Sequence, residues 1–257
     1  MIFDLIAGLN ESAAAEWTPA QLFLNGEVGF WLDASDLSTL FQDQMGVTPV
    51  TASGDQVGLW KNKVTQVVQT DYNFIQSTAA ARPKYNVSSG KSTVQYDGVD
   101  DMLNSTLGVG VVVWPNGFTC CMGQFKTTTG ASTARKALYG ASSNVVNIQN
   151  QAGGSGQPGN IFGQLFGQTL NSSNLISATL PNVITMSGKI SAQPITLTVN
   201  GVTTVGGTNP SSSNTSQTFR LVGDAANDCS ISQIVLINRL LTPTELTQLQ
   251  TFIGSKQ

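Results

Sequence analysis

Three carboxylates fall within five residues, at Asp97, Asp100 and Asp101. Like charges this close are costly unless a cation or hydrogen bonds compensate them. Hard divalent cations are held by carboxylate and carbonyl oxygens, so these three residues form a candidate metal site, with calcium as the ion. Aspartates in tight turns also bond their own backbone; that is the stronger reading, so no cofactor is expected. The Asp-x-Asx-x-Asx-Gly spacing of an EF-hand loop is missing. A second chemistry is suggested by Trp114, which precedes Pro115-Asn116-Gly117 at an expected turn. An exposed indole there can stack on the apolar face of a sugar, beside hydrogen-bonding Asn and Asp side chains. The candidate ligand-binding residues are therefore Trp114, Asn116, Asp100 and Asp101; a place in the core or a subunit interface is the alternative for Trp114. Trp31 and Trp60 are expected in the core.

Other chemistries are excluded or disfavoured. The chain has no histidine, which removes Ser-His-Asp and Cys-His nucleophilic sites and histidine-based metal sites. Glycoside hydrolysis usually needs two positioned carboxylates, and no glutamate occurs between Glu27 and Glu245. Asp33, Asp36, Asp97, Asp100 and Asp101 could supply the pair only from short side chains at turns and strand ends. No catalytic residue is assigned, and a non-enzymatic protein is expected. No Gly-Lys-Ser/Thr follows the glycine-rich 153–159 stretch, so it is no phosphate loop; it and the Ser/Asn/Thr-rich 206–217 tract read as connections or as a binding rim.

These residues must be positioned by strands. Phe118–Phe125 alternates apolar and small or polar residues, and Ile195, Leu197 and Val199 alternate with Thr196, Thr198 and Asn200, the period of half-buried strands. Asn200-Gly201 then predicts a two-residue hairpin turn into Val202–Val205. Val94 and Tyr96 mark a strand running into Asp97-Gly98, which also reads as a hairpin turn. Val145–Ile148 and Val183–Met186 are further strands. Two helical signals flank this region. Thr18-Pro19-Ala20-Gln21 has the form of a capping box, with Asn25-Gly26 to end the helix. Thr242-Pro243-Thr244-Glu245 opens a second helix carrying Leu246, Leu249 and Ile253 on one face, with Gly254 to end it.

Composition agrees with an all-β chain. Charged residues make up 11%, against roughly 25% in an ordinary soluble domain, and Ser, Thr, Asn, Gln and Gly take their place. The net charge is −3 and lysines and arginines do not cluster, so nucleic acid is not an expected partner. No apolar run has the length of a membrane span. Ile2–Leu9 is short, contains Asp4 and lacks a basic lead-in, so no secretory signal is expected. Cys120 and Cys121 point to opposite faces of a strand. They and Cys229 read as small core residues, with a bridge from Cys229 to one of them as the alternative. Residues 1–28 read as an N-terminal anchoring arm whose apolar side chains Phe3, Leu5, Ile6, Leu9 and Trp17 would enter a partner surface; packing on its own domain is the alternative. Residues 29–257 read as the β domain.

In order along the chain, Phe30-Trp31-Leu32-Asp33-Ala34-Ser35-Asp36, Arg82-Pro83-Lys84-Tyr85, Tyr96-Asp97-Gly98, Leu197-Thr198-Val199-Asn200-Gly201 and the closing Ile231–Leu246 resemble the laminin-G/concanavalin A-like sandwich in the form common in bacteriophage structural proteins. Trp60-Lys61-Asn62-Lys63 stands where that family has a Trp-x-Asp-Lys-Ser-like segment, with Asn62 in place of the acidic residue. The resemblance implies an antiparallel jelly-roll sandwich in a tail fibre, tail tip or head decoration. It implies other virion proteins as partners, a homo-oligomer with a trimer favoured, and a place on the virion surface after assembly in the host cytoplasm. A host-surface glycan is the implied ligand if the module recognises a receptor. Some members of the fold bind calcium at loop ends.

Overall fold

The computed structural model describes residues 16–64, 72–106, 117–126, 135–140, 146–150, 160–165, 168–175, 181–189, 193–208, 219–222 and 228–257. Its strands are β1 (Gly29–Asp33), β2 (Leu40–Phe41), β3 (Leu59–Trp60), β4 (Phe74–Ile75), β5 (Lys84–Ser88), β6 (Lys91–Asp97), β7 (Leu103–Ser105), β8 (Phe118–Lys126), β9 (Arg135–Gly140), β10 (Val146–Asn150), β11 (Asn160–Leu165), β12 (Gln168–Leu175), β13 (Asn182–Lys189), β14 (Gln193–Val199), β15 (Val202–Thr208), β16 (Phe219–Leu221) and β17 (Asp228–Ile237); one α-helix, α1 (Pro243–Ser255), follows. All the pairings are antiparallel. One sheet runs β15-β14-β13-β8-β17-β6-β5 with β1 also on β17; the other runs β12-β11-β10-β9-β16-β7-β4-β3-β2. The chain is thus an all-β antiparallel sandwich with a C-terminal helix, as the strand periods and turns predict.

The main core lies between the sheets. Val94 and Tyr96 of β6, Cys120 and Met122 of β8, and Ile231, Ile234 and Leu236 of β17 meet Trp60, Phe74, Leu103 and Phe219 from the other sheet. A register shift between Ile231 and Gln233 changes the parity along β17, which is why Ile231 and Ile234 share a face. A second core covers the outer face of the first sheet. Trp31, Cys121, Val235 and Ile237 pack there against Leu249 and Ile253 of α1 and against Leu22 and Phe23. β17 is buried along both faces for this reason, with Ser230, Ser232 and Gln233 buried as well as its closing apolar run Ile234–Ile237. Cys120 and Cys121 fall in different cores, and all three cysteines are free thiols. Burial pushes the Cys121 thiol up to about 12, so it packs as a small apolar group.

The described part of the N-terminal segment is built into this outer layer. Pro19–Phe23 forms a short 3-10 helix with no side-chain bond from Thr18, so the capping box predicted there is absent. Burial of Leu22 and Phe23 holds this turn in place of a cap. Trp17 meets Phe252 edge to face at 6.0 Å, while Phe3, Leu5, Ile6 and Leu9 lie outside the described residues. Arg239 ties the layer together: its Nε pairs with Glu27 at 3.2 Å and its Nη2 with Glu245 at 2.7 Å. The second capping box is present, with Thr242 and Glu245 bonding reciprocally, and the Arg239 guanidinium holds the Glu245 carboxyl down at about 2. Gly254 does not end α1, which closes at Lys256.

The turns divide. Asn200 and Gly201 take φ of 51° and 82° and close the β14–β15 hairpin as predicted. Asp97-Gly98 does not close a hairpin. Gly98 has φ of 76°, and the chain leaves β6 for β7 in the opposite sheet. The turn is a crossover between sheets, so it lies at an edge of the sandwich. No helix among the described residues is long and apolar enough to cross a membrane.

Candidate functional site

The crossover turn opens one end of a groove of about 480 Å³ lined by Gln56, Ala80, Arg82, Lys84, Gln95, Asp97 and Asp101. Strand pleating explains the lining. Tyr85, Val94 and Tyr96 point into the main core, so Lys84 and Gln95, which are directly paired, and Asp97 point the other way. β5 is the sheet edge, and the 54–57 segment closes it. Gly54 N–H donates to Tyr85 O and Tyr85 N–H to Asp55 O, each at 2.8 Å, while Val57 N–H donates to Pro83 O at 2.7 Å. Gln56 bridges to Lys84 on this segment and so reaches the groove wall. Arg82 is fixed by donation from Nε to Gln76 O at 3.0 Å and from Nη2 to Ser77 O at 3.1 Å. No ion pair is made by Lys84 among the described residues.

The three acidic residues come together. Oxygens of Asp97, Asp100 and Asp101 lie within 4.8 Å of one another, with Asp97 and Asp100 exposed and Asp101 buried. The turn uses part of this capacity: Asp97 N–H donates to Asp101 Oδ2 and Val99 N–H to Asp97 Oδ1, both at 2.8 Å. Burial pushes the Asp101 carboxyl up to about 6; the charges of Asp97 and Asp100 add to the rise and the Asp97 N–H opposes it. The donor set is that of a hard cation, with Asp100 and the second oxygens of Asp97 and Asp101 left over from the turn bonds. All three carboxylates rise from one turn, and Asp97 and Asp101 reach the groove. Among the described residues that line the groove, no carboxylate faces these across it, as the usual paired-carboxylate glycosidase mechanism would need.

The other sequence candidates are placed differently. Asp33 and Asp36 share Lys63, at 3.1 and 2.9 Å. Asp33 Oδ1 also accepts from Ser35 N–H at 2.9 Å and from Gln233 Nε2 at 3.2 Å. Partial burial works against ionisation of Asp36, but hydrogen bonds from Lys63 and Ser38 outweigh it and hold its carboxyl below the ordinary value. Lys63 Nζ sits 4.3 Å from the Trp31 ring centroid. Asn62, at the position where the family pattern has an acid, accepts from Trp31 N–H at 2.9 Å and Val64 N–H at 3.0 Å; it holds backbone and not a ligand. Trp31 and Trp60 are core residues. Trp114 and Asn116 lie outside the described residues. The sequence reading missed Gln56, Ala80, Arg82, Lys84 and Gln95. Arg82 just before β5 and Lys84 at its start are two residues apart, a signal present in the sequence, whereas Gln56 arrives through a long-range bridge that leaves no local mark.

No family model matches the chain, and no curated protein matches it. Solved structures of similar architecture exist. The chain is similar to Trypanosoma rangeli sialidase in complex with sialic acid, at 12% identity and a TM-score of 0.53, over 90% of this chain and 34% of that one. The same sialidase with 2,3-difluoro-KDN gives a TM-score of 0.54 at 12% identity, over 91% and 33%. The chain thus spans about a third of the length of these sialidases. A looser likeness is to the Emp47p carbohydrate recognition domain, at 10% identity and a TM-score of 0.42, over 62% and 87%. What the chain shares with the sialidase structures is the fold alone, an antiparallel β-sandwich.

Proposed function

We propose that this chain is a non-enzymatic, carbohydrate-binding sandwich of a bacteriophage virion, and that the β5–β6 groove is its binding site. One observation carries the proposal: an open groove whose side chains offer unspent donors and acceptors on a rigid sheet edge. Lys84 offers an ammonium, Gln56 and Gln95 offer amides, and Asp97 offers the oxygen not used by Val99. Sugar hydroxyls both donate and accept, so they suit such a mixture. A sialidase of like fold is described in complex with sialic acid; we extend to this chain only the broad class of saccharides, neither that acidic sugar nor the activity. Catalysis is left out because the carboxylates rise from one turn and no histidine is present.

The virion role draws on the motif resemblance and the low charge content. In this reading the residues before Glu16, with Phe3, Leu5, Ile6 and Leu9, anchor the module to other virion proteins at the particle surface, and a trimer is the favoured assembly. The ligand is a host-surface glycan. A glycan array probed with the whole chain and with Gln95→Ala tests the binding; retention of full signal by Gln95→Ala, or silence across the array, would sink it. Solution mass of the full chain against a chain lacking residues 1–15 tests the anchor: loss of self-association on deletion is expected, and two identical monomers would count against it.

A further inference from the structure

We infer that the groove selects uncharged saccharides and rejects acidic ones, an inference that rests on reading it as a carbohydrate site. Its lining carries both signs of charge. Lys84 and Arg82 line it together with Asp97 and Asp101, and Asp100 lies within 4.8 Å of both aspartates. A sugar carboxylate would look for an arginine fork, the strongest bidentate partner. Arg82 cannot present one freely, because its Nε and Nη2 already donate to the Gln76 and Ser77 carbonyls. Only Lys84 remains, and it lies in a groove that also holds the carboxylates of Asp97 and Asp101. A cationic amino sugar meets the converse obstacle at Lys84 and Arg82.

An uncharged hydroxyl has no such conflict. It accepts from the Lys84 ammonium, donates to Asp97, and does either with the Gln56 and Gln95 amides. Like-charge contact suppresses a wrong partner, so selectivity here comes from what the groove excludes. Ala80 is the one apolar residue of the lining, so the groove gives a sugar ring no aromatic platform and recognition runs through hydroxyls.

The test uses the full chain and matched oligosaccharides that differ only in a terminal sialic or uronic acid, titrated at low and at physiological salt. The uncharged member is expected to bind at least about tenfold tighter, with the gap narrowing as salt rises. Asp100 is exposed and makes no hydrogen bond among the described residues, so Asp100→Lys is expected to fold normally and to shrink the preference several-fold. Equal or tighter binding of the acidic member, unmoved by Asp100→Lys, would overturn charge selection while leaving a carbohydrate site standing. Binding of neither member, nor of any saccharide in a broad panel, would overturn both. Binding that survives unchanged in Asp97→Asn/Gln95→Ala would place the site outside the groove and overturn the inference as well.

Discussion

Two aspartate clusters among the described residues differ in one cation. Asp33 and Asp36 enclose Lys63, which also lies against Trp31, and Asp33 accepts from Ser35 and Gln233 as well. Asp97, Asp100 and Asp101 make no ion pair among the described residues; two of their oxygens take backbone N–H groups of their own turn. The first cluster is a closed network at a strand end, where the Asp33 side chain is only 5% exposed. The second faces a groove and keeps part of its capacity unspent. Compensation by a lysine marks an acidic cluster as architecture, and its absence beside an open cavity marks one as available to a ligand.

Breaking the first cluster is expected to give the largest effect. Lys63→Met leaves Asp33 buried without its cation, and we expect a loss of about 3 kcal/mol in urea unfolding, toward the lower end for a broken buried pair because Lys63 is part-exposed. Lys84→Met, at the groove, should change stability by less than about 0.5 kcal/mol. Comparable losses at the two lysines would dissolve the distinction between the clusters.

Titration sharpens the contrast. Asp101 has a folded-state value near 6, above its ordinary 3.8. The folded state therefore binds more protons between those values, and stability falls as pH rises through that window. Its ionised form costs about 1–2 kcal/mol above pH 6, after allowance for solvent screening. Asp101→Asn should relieve that cost at neutral pH, and the difference between wild-type and variant unfolding midpoints should vanish toward pH 4. A difference that stays constant across pH would contradict the assignment. Glu245 runs the other way: its value of about 2 makes a stabilisation present above 4.5 and lost as pH falls toward 2. Glu245→Gln should remove about 1 kcal/mol at pH 7 and flatten that acid limb.

The smallest effect concerns calcium. The 97–101 cluster has unspent oxygens and the 33–36 cluster has Lys63 in their place. Millimolar calcium, compared with chelator, is expected to raise Tm by about 1–2 °C, and Asp100→Asn should abolish the rise. A rise that persists in that variant would put the ion elsewhere.

Much of the fold was legible because it depends on local period. β8, β13 and β14 show alternation, Asn200-Gly201 supplies the two positive-φ residues of its hairpin, and Thr242 with Glu245 supplies a complete cap. The two-residue strands β2, β3 and β4 carry no period, since they exist only through pairing with partners far along the chain. Thr18 shows the limit of a local motif: the cap residues are there, yet burial of Leu22 and Phe23 settles the segment as a single 3-10 turn. Asp97-Gly98 announces a turn, but nothing in it says whether the next strand joins the same sheet or the other. At the site, the acidic residues were visible as a cluster. Their partners in the groove were not, because Lys84 and Gln95 meet through register and Gln56 through a bridge to the edge of β5.

The most direct test of the groove as the working surface is residue-by-residue mapping of amide NMR shifts as a bound saccharide is titrated into the whole chain. The account predicts shifts concentrated at Gln56, Arg82, Lys84, Gln95 and residues 97–101, with residues 33–36 and Lys63 unmoved. Shifts centred on Trp114 and Asn116, with the groove silent, would contradict it.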